Sequence, residues 1–438
     1  MGDIAIIYFN DSPFEYSQIS VGLASLYTYL KKHGYELIIY ETHKCSYSRI
    51  ISQICSEGFE YIGFSVTEMH LDSALSIAKE VKAESNTKII FGGPFASLVP
   101  EIILKQNFVD FVCVGDGEYS LLDLLNGIQP KEIQGIWFKN QNKIINNGIS
   151  KVYNLDDFNI TDYTCYHSET FISIRKNNHN LKKIIFTWST RGCAFNCNYC
   201  SNGILNQKLK YGIRSRNIGK LVQEIEHLNK TYDFDILFFS DENFLYNTDY
   251  CLEFVQRMKG RIENLTFGFL SRPEHINNKN IDLLKKLKNV GWRWVSIGIE
   301  IGNEEKRNLF LNRKNTNNEI VKAFEICNEI GVATNAFLIS GLYFEDSNDL
   351  LITEDLLLKC QPNSIECSII FPLRGTKIFS KYKNKNMLYK EEGCKNYFRD
   401  ISVVHPEYTH TQLRIIKKYF ENMPHKKNTK GNILTILN

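Results

Sequence analysis

The sequence has no apolar run of the roughly 20 residues that a membrane-spanning helix needs. It also has little net charge, +3 over 438 residues, so its composition does not indicate a nucleic-acid partner. The first residues include no basic segment and no long apolar stretch, and position 6 is Ile rather than Ser or Thr. We therefore expect neither a secretory signal nor an N-myristoylation motif here. We therefore expect a cytoplasmic protein with reduced thiols and no membrane span.

The 12 cysteines lack the patterns of zinc fingers and disulfide frameworks. What the sequence does have is Cys193, Cys197 and Cys200, spaced Cys-x3-Cys-x2-Cys within residues 190–201. Thiolates select zinc or iron–sulfur clusters, and structural zinc takes a fourth ligand that no nearby Cys or His pair supplies. Three thiolates on one loop can hold three corners of a [4Fe–4S] cluster and leave one iron open. Zinc and chance clustering stay as alternatives on spacing alone.

The cysteine loop follows residues 182–189, which are rich in strand-forming residues and predict a β-strand. The loop therefore lies at the carboxyl end of a strand, where α/β folds place their chemistry. The spacing, with an aromatic residue before the last cysteine, resembles the radical S-adenosylmethionine (SAM) superfamily. The resemblance implies that Cys193, Cys197 and Cys200 are catalytic ligands of a [4Fe–4S] cluster, that SAM chelates the open iron, and that Tyr199 packs near the adenine.

The first third of the chain alternates between strand and helix patterns, which predicts a Rossmann-like (flavodoxin-like) parallel sheet with helices on both faces. Expected strands are residues 3–9, 36–40, 61–66, 88–91 and 111–114, and expected helices are residues 20–33, 73–81 and 118–125. Glycines follow two of the strands, at Gly92, Gly93, Gly115 and Gly117. They would let the backbone approach a flat ligand, although ordinary loop glycines give the same pattern.

The same segment resembles the cobalamin-binding domain that is fused to many radical SAM enzymes. The resemblance implies cobalamin contacts from residues at three strand ends: Ser65, Thr67, Gly92, Gly93, Gly115, Gly117 and Glu118. The loop at residues 10–22 contains no histidine, so we expect cobalamin to bind without a histidine ligand on cobalt. Met69 and His70 could approach the ligand, but packing at a helix start is the favoured interpretation.

The rest of the chain predicts a connector, a barrel and a short accessory region. Residues 133–145 predict a β-hairpin within the connector. From residue 183, six strand–helix units resemble the partial (β/α)6 barrel of radical SAM enzymes. The tail predicts a helix at residues 410–423, and we expect His405 and Tyr408 at the surface. The predicted domains are 1–126 (cobalamin-binding), 127–182 (connector), 183–376 (radical SAM barrel) and 377–438 (C-terminal helical accessory region).

Polar residues follow several barrel strands, and the resemblance implies a role in SAM binding for each of them. Ser240, Asp241 and Glu242 match the second-strand motif near the SAM amino group, and Glu300 matches the fourth-strand acid that binds the ribose hydroxyls. Arg272 is a candidate for the SAM carboxylate, because guanidinium groups bind carboxylates in two-pronged fashion. Helix capping or ordinary ion pairing is the alternative interpretation for the acids.

The combined resemblance implies a cobalamin-dependent radical SAM enzyme. Such an enzyme cleaves SAM reductively to a 5′-deoxyadenosyl radical and, in the commonest case, methylates an unactivated carbon of a small molecule, lipid or peptide. It would need an external electron donor of the flavodoxin or ferredoxin type. Three alternatives stay open: a radical cyclisation or rearrangement, an ordinary radical SAM enzyme with an empty cobalamin domain, and a non-catalytic cobalamin- or redox-responsive protein. Methylthiotransferases are disfavoured, because Cys45, Cys55 and Cys113 do not fit their second cluster.

Overall fold

The computed structural model describes residues 3–9, 19–42, 46–141, 143–157, 160–166, 183–389, 401–425 and 433–434. The chain divides into two compact units, Met1–Ile185 with Ile204–Arg214, and Phe186–Gly203 with Ser215–Asn438. In the described ranges, no helix is both long enough and apolar enough to cross a membrane.

The N-terminal elements alternate between strands and helices, as the sequence predicts. In chain order they are β1 (Ile4–Tyr8), α1 (Val21–Lys32), β2 (Leu37–Glu41), α2 (Tyr47–Glu57), β3 (Tyr61–Ser65), α3 (Leu71–Glu84), β4 (Lys88–Gly92), α4 (Pro94–Leu98), α5 (Pro100–Leu104), β5 (Phe111–Cys113), α6 (Gly117–Leu125), β6 (Ile136–Asn140) and β7 (Lys143–Ile145). They form one sheet in the order β2-β1-β3-β4-β5-β6-β7. The first five strands are parallel, and their order is that of flavodoxin-like folds.

Burial explains why these segments form a parallel sheet. The first four residues of β1 are all buried, as expected for a strand covered by helices on both faces. Helix α1 starts where the Ser20 side chain accepts a hydrogen bond from the Leu23 amide, which satisfies one of the free donors at the helix start. The predicted flavodoxin-like fold is confirmed. Helices α4 and α5 were not predicted, because five residues are too few to show a helical period. Helix α2 was also missed, although its apolar residues do recur at helical spacing and bury Ile50, Ile51 and Ile54.

The hairpin predicted in the connector is present, but it extends the first sheet. Strand β6 pairs antiparallel with β5, with Val112 opposite Trp137, and β7 pairs antiparallel with β6. The indole nitrogen of Trp137 donates a hydrogen bond to the Gly148 carbonyl, 2.6 Å away, which anchors the hairpin to the segment that follows it. The local sequence predicts a hairpin, but the strand it pairs with is decided by tertiary packing.

From residue 184 onward the chain forms a second series of strand–helix units. They are β8 (Ile184–Thr187), β9 (Thr190–Arg191), α7 (Ser201–Leu209), β10 (Arg214–Ser215), α8 (Ile218–Thr231), β11 (Ile236–Phe239), α9 (Thr248–Met258), β12 (Phe267–Ser271), α10 (Ile281–Asn289), β13 (Trp292–Glu300), α11 (Glu304–Leu311), α12 (Asn317–Glu329), β14 (Ala333–Ser340), α13 (Ser347–Cys360), β15 (Ser364–Ile369), α14 (Lys377–Asn384) and α15 (His410–Asn422). The sheet order β15-β14-β13-β12-β11-β8 follows the chain. The pairs from β11 to β15 are parallel, as in the predicted partial barrel.

Aromatic side chains fill the core under β11, β12 and β13. Phe269 stacks on Trp292 with ring centroids 5.0 Å apart, and Phe244 stacks on the other side at 4.4 Å. Phe239 and Phe267 are fully buried beside them. Offset aromatic pairs add stabilisation beyond the area that they bury, so this core gives the strand ends above it a rigid base.

The C-terminal region corrects one prediction. The helix predicted at residues 410–423 is confirmed as α15, which packs against β15. His405 and Tyr408, predicted at the surface, are only 7% and 9% exposed. The Nδ1 atom of His405 accepts two backbone N–H groups, so Nε2 carries the proton and donates to the Leu342 carbonyl just after β14. The surface prediction is wrong because a local pattern does not reveal this contact between distant segments.

Candidate active site

The three cysteines of the loop between β9 and α7 lie close together. The Cys197 side chain is buried, and Cys193 and Cys200 are half-buried. Burial, with smaller contributions from the neighbouring Cys197 and Cys193 sulfurs, raises the pKa of Cys200 to about 11. No three His, Cys, Asp or Glu side chains of the described residues converge on a single metal ion. A [4Fe–4S] cluster does not need such convergence, because each thiolate binds a different iron.

The cysteine loop is held by the end of α11. The Asn198 amide donates to the Leu311 carbonyl at 3.1 Å, and the Asn198 side chain donates to the Phe310 carbonyl at 2.9 Å. Asn312, in the left-handed conformation with φ +55°, donates from its side chain to the Asn196 carbonyl. Carbonyls at a helix end have no partner within the helix, so this loop supplies their hydrogen bonds. No local sequence pattern predicts this contact between the cysteine loop and α11.

Asp241 joins the end of β11 to the residues that lead into the cysteine loop. Its carboxylate accepts hydrogen bonds from the Ser189 amide (2.8 Å), the Ser189 hydroxyl (2.5 Å) and the Thr190 hydroxyl (2.6 Å). Complete burial raises the pKa of Asp241, and these hydrogen bonds oppose that shift. Of its neighbours, the Ser240 side chain is exposed. Glu242 is half-buried near the Gly192 amide, and burial raises its pKa.

Arg272, at the end of β12, contacts the cysteine loop directly. Its Nη1 atom lies 3.4 Å from the Cys197 sulfur, and its guanidinium carbon lies 3.8 Å from the centre of the Phe195 ring. Its Nε atom pairs with Glu274 at 2.5 Å. The structure therefore places the guanidinium of Arg272 against a cysteine thiol.

Glu300, Arg313 and Tyr199 form one buried network. Arg313 Nη1 donates to Glu300 Oε1 at 3.1 Å and to the Tyr199 hydroxyl at 3.2 Å, while Nη2 donates to the Gly298 carbonyl at 2.7 Å. Glu300 adopts φ +68°, which is uncommon outside glycine. Burial raises the pKa of Tyr199 well above its usual value, so its hydroxyl stays protonated. Arg313 is the residue that sequence reasoning missed, because it lies in an irregular segment after α11.

Several buried polar atoms near these residues in the chain lack hydrogen-bond partners in the part that the structure describes. They are Asn243 Nδ2, Arg313 Nε and both polar side-chain atoms of Asn315. Asn243 also accepts hydrogen bonds from the Ser271 hydroxyl and the Arg272 amide, which fixes its orientation. Buried polar atoms are normally paired, so the orphaned atoms are consistent with a polar ligand that completes the site.

Four of the predicted cobalamin contacts lie at the ends of β3 and β4, and they differ in how exposed they are and in how much space surrounds them. Ser65 is half-buried and Thr67 is exposed, and the Thr67 hydroxyl lies 3.1 Å from His70 Nδ1. His70 stacks on Phe9 at 5.2 Å, so its predicted packing role is confirmed. Gly92 has open space, since an added Cβ would meet its first neighbour at 3.9 Å. Gly93 has φ +91°, and a Cβ there would come within 3.0 Å of the Val66 backbone.

The other three predicted cobalamin contacts face the protein itself. A Cβ at Gly115 would overlap the Tyr211 hydroxyl and would lie 2.5 Å from the Ser150 hydroxyl. These two hydroxyls also contact each other at 2.5 Å. The Glu118 side chain is buried and accepts a hydrogen bond from Ser25 at 2.8 Å, and Gly117 lies against Leu121. The sequence suggested that the missing side chain at Gly115 leaves room for a ligand, but in the structure Tyr211 fills that room.

Two family profiles match the chain. The Radical SAM superfamily matches residues 189–357, which include the cysteine loop and the strands through β14. The B12 binding domain matches residues 12–125. The two matches correspond to the six-stranded sheet and to the flavodoxin-like sheet.

Three relatives align with most of the chain. An uncharacterized methyltransferase of Pyrococcus horikoshii is 23% identical over 84% of this chain and 79% of its own length. The anaerobic magnesium-protoporphyrin IX monomethyl ester cyclase of Rubrivivax gelatinosus is 24% identical over 83% of this chain, which spans 66% of the cyclase. A Methanocaldococcus jannaschii protein, named provisionally as a methylthiotransferase, is 25% identical over 83% of this chain and 78% of its own length.

Solved structures share the fold over nearly the whole chain. The cobalamin-dependent SAM radical enzyme OxsB superposes with a TM-score of 0.72 at 14% identity, covering 95% of this chain and 66% of OxsB. The radical SAM methyltransferase TsrM of Kitasatospora setae superposes with a TM-score of 0.69 at 15% identity, covering 88% of this chain and 75% of TsrM. At these identities the likeness concerns the fold.

The matched domains determine the cofactors. A radical SAM domain uses a [4Fe–4S] cluster and SAM, and a B12 binding domain adds cobalamin. The three clustered thiols and the strand ends of a flavodoxin-like sheet fit these groups. The chain therefore combines a radical SAM domain with a B12 binding domain, the combination that cobalamin-binding radical SAM enzymes have.

Proposed function

We propose that this protein is a cobalamin-dependent radical SAM C-methyltransferase, acting on an unactivated carbon of a small molecule, lipid or peptide. One observation carries the proposal. Arg313 contacts both Tyr199, inside the cysteine loop, and Glu300, at the end of β13, so the cysteine loop and the acid meet in one buried network. This supports SAM binding beside a cluster, in a chain that also carries a B12 binding domain.

When bound, the cluster supplies the electron that cleaves SAM to a 5′-deoxyadenosyl radical, and cobalamin supplies the methyl group. The chain's own residues bind and orient these groups. We assign Cys193, Cys197 and Cys200 as the cluster ligands. Tyr199 packs near the SAM adenine, and Glu300, one oxygen of which Arg313 holds, accepts hydrogen bonds from the ribose hydroxyls.

The residues after β11 have separate roles in the proposed SAM site. Asp241 holds the entrance of the cysteine loop through Ser189 and Thr190, so its contribution is to position the thiols. Ser240 and Glu242, on either side of it, are the candidates for the SAM amino group. Asn243, with its orphaned amide nitrogen, offers one further donor beside them.

For cobalamin, we assign the contacts on the open side of the first sheet to Ser65, Thr67, Gly92 and Gly93. Gly115, Gly117 and Glu118 shape the neighbouring strand end through Tyr211, Leu121 and Ser25. We propose that no histidine of this domain binds cobalt, since the segment 10–22 has none in its sequence. Residues 10–18 lie outside the described residues.

Electrons come from an external donor of the flavodoxin or ferredoxin type, and no nucleic-acid partner is proposed for a chain of net charge +3. The second candidate function is a radical cyclisation or rearrangement, which the similarity to the Rubrivivax gelatinosus cyclase favours. A radical SAM enzyme with an empty cobalamin domain and a non-catalytic cofactor-responsive protein are further alternatives. The provisional name of the Methanocaldococcus jannaschii relative keeps methylthio transfer as another outcome.

The test is to incubate protein loaded with cluster and cobalamin with reductant, SAM and a candidate substrate extract, and then to quantify two products. Methyl transfer of this kind uses one SAM as the radical source, giving 5′-deoxyadenosine, and another as the methyl source, giving S-adenosylhomocysteine. We expect comparable amounts of both products. Protein with Cys193, Cys197 and Cys200 replaced by Ala is the matched control and should form no 5′-deoxyadenosine.

Each other result favours a named alternative. 5′-Deoxyadenosine without S-adenosylhomocysteine would reject methyl transfer and favour the cyclase-type or plain radical reaction. Equal activity of protein with and without cobalamin would favour the empty-domain alternative. A second cluster in the loaded protein, measured as more than four irons per chain, would favour methylthio transfer.

A further inference from the structure

The guanidinium group of Arg272 makes three contacts, two with the cysteine loop and one with Glu274. Nη1 donates toward the Cys197 sulfur at 3.4 Å, the planar face stacks on Phe195 at 3.8 Å, and Nε pairs with Glu274 at 2.5 Å. We propose that Arg272 raises the reduction potential of the cluster by donating a hydrogen bond to the Cys197 thiolate, and that it does not bind the SAM carboxylate. The proposal rests on the assignment of Cys197 as a cluster ligand.

The position of the guanidinium is fixed independently from several sides. Phe195 belongs to the cysteine loop itself, so the loop carries both the thiol and the ring on which the arginine stacks. The Arg272 backbone amide donates to Asn243 Oδ1 at 3.3 Å, which fixes the start of the side chain. The whole residue is 8% exposed. A planar cation held in this way keeps Nη1 directed at one sulfur.

The sign of the effect follows from charge. Reduction adds one electron to the cluster, and the added negative charge spreads onto the ligating sulfurs. A cationic N–H donor at one of these sulfurs therefore stabilises the reduced form more than the oxidised form, and hydrogen bonds to sulfur are one of the means by which proteins tune such potentials. Glu274 opposes the effect, because its negative charge partly neutralises the guanidinium. Burial preserves both influences, because water does not screen them.

The same contacts argue against a SAM carboxylate clamp. A two-pronged grip on a carboxylate uses two adjacent guanidinium nitrogens. Nε gives its single hydrogen to Glu274, which removes the Nε–Nη2 pair, and Nη1 already gives one of its two hydrogens to Cys197. We therefore expect Arg272 to adjust the reduction potential of the cluster through Cys197 rather than to bind SAM.

The experiment compares wild type, Arg272→Gln, Arg272→Lys and Glu274→Gln, each reconstituted anaerobically without SAM. The cluster's midpoint potential is measured by redox titration followed by electron paramagnetic resonance, and SAM affinity is measured separately by equilibrium dialysis. Arg261→Gln, which removes an exposed arginine, is the matched control and should leave both values unchanged. Iron and sulfide content confirms that every variant is fully loaded.

Loss of the hydrogen bond in Arg272→Gln should lower the equilibrium constant for reduction about tenfold. For a one-electron couple this corresponds to a midpoint potential that is about 59 mV lower. Arg272→Lys should restore part of the loss, and Glu274→Gln should shift the potential in the opposite direction. SAM affinity should change less than threefold in all of them.

An unchanged potential together with a tenfold loss of SAM affinity in Arg272→Gln would overturn the proposal in favour of the SAM carboxylate. If Arg272→Gln does not hold a cluster, then Arg272→Lys and Glu274→Gln decide, and unchanged potentials in both would overturn it. Failure of the proposed ligation is recognised separately, because a cluster that survives replacement of Cys197, Cys193 and Cys200 by Ala would remove the premise itself.

Discussion

The carboxyl ends of the strands in the two sheets carry different kinds of chemical groups. In the six-stranded sheet they are buried and charged, namely Asp241, Arg272 and Glu300, with Arg313 paired to Glu300. In the flavodoxin-like sheet they are glycines and hydroxyls, such as Ser65 and Thr67. Two buried acids also lie there: Glu118, which accepts a hydrogen bond from Ser25, and Glu41 at the end of β2. The first set combines the ion pairs of Arg272 and Glu300 with the hydrogen-bonded Asp241, whereas the second set is richer in glycines and small hydroxyl side chains.

The difference predicts how strongly each sheet's proposed cofactor site should respond to substitution. A buried charge is stable only when its partner is in place, so the charged strand ends are organised before SAM binds. Removing one charged side chain of such a pair should therefore have a large effect on SAM binding. Each contact made by the backbone or by a small hydroxyl contributes less binding free energy. A single substitution at the flavodoxin-like sheet should therefore have a modest effect on cobalamin binding. The predictions below test this contrast, from the largest effect to the smallest.

The cysteine loop should be indispensable for the cluster. Replacing Cys193, Cys197 and Cys200 together by Ala should abolish the visible absorbance of the anaerobically purified protein, since no other ligand set is proposed for it. Cys327→Ala and Cys360→Ala are the matched controls, because both thiols are buried in the core of the same unit. A full complement of four irons per chain in the triple variant would show that the loop is not the cluster site.

Glu300→Ala should weaken SAM binding about ten- to hundredfold, because a lost hydrogen bond to a charged group costs roughly 1.5–3 kcal/mol. Equilibrium dialysis with labelled SAM measures the change. Glu305→Gln removes an exposed acid from the nearby helix α11 and should leave the affinity unchanged. Equal SAM affinity in wild type and Glu300→Ala would separate the Glu300–Arg313–Tyr199 network from SAM.

Glu345 should make stability depend on pH. Burial raises the pKa of Glu345 to about 8 from a usual 4.5, and its carboxyl accepts the Gly341 amide at 2.6 Å. The folded protein keeps a proton that the unfolded chain releases, so stability falls as pH rises from about 4.5 to 8. At about 1.4 kcal/mol per pKa unit, the fall is on the order of a few kcal/mol. In Glu345→Gln the urea concentration at the unfolding midpoint should depend less on pH between pH 5 and 8 than in wild type. The same pH dependence in both proteins would contradict a buried neutral acid.

Gly115→Ala should destabilise the first unit, because the new Cβ overlaps the Tyr211 hydroxyl at a positive φ. Strained backbone positions of this kind cost on the order of 1–3 kcal/mol. Gly92→Ala is the matched control, since its Cβ would meet only ordinary contact distances. Urea unfolding should show the loss for Gly115→Ala alone, with partial recovery when Tyr211→Phe is added. Equal stability of the two glycine variants would argue against the tight contact at Gly115.

His70→Ala should leave the spectrum of bound cobalamin unchanged. The His70 ring is occupied by stacking on Phe9 and by the contact with Thr67 Oγ1, so we expect a base-off spectrum in both proteins. Visible spectra recorded after gel filtration of hydroxocobalamin-loaded protein test this. A spectral change confined to His70→Ala would identify a histidine ligand and refute the proposed binding mode.

Sequence patterns were sufficient for the elements and for the main chemical motif. The strand predicted at residues 88–91 is β4, which spans Lys88–Gly92, because a short apolar run between turn residues is a local signal. The spacing of Cys193, Cys197 and Cys200 is likewise a property of neighbouring residues. Alternation of strands and helices predicts parallel sheets in both units for the same reason.

The partners of the functional residues depended on tertiary structure. Arg313 meets Glu300 and Tyr199, Asn198 meets the end of α11, and Tyr211 closes on Gly115, all through contacts between segments far apart in the chain. Arg272 looked suited to a carboxylate by residue type, yet its neighbour is the Cys197 thiol. A side chain's chemistry can be read from its identity, but the atom it faces depends on how distant segments pack, and no local pattern encodes that.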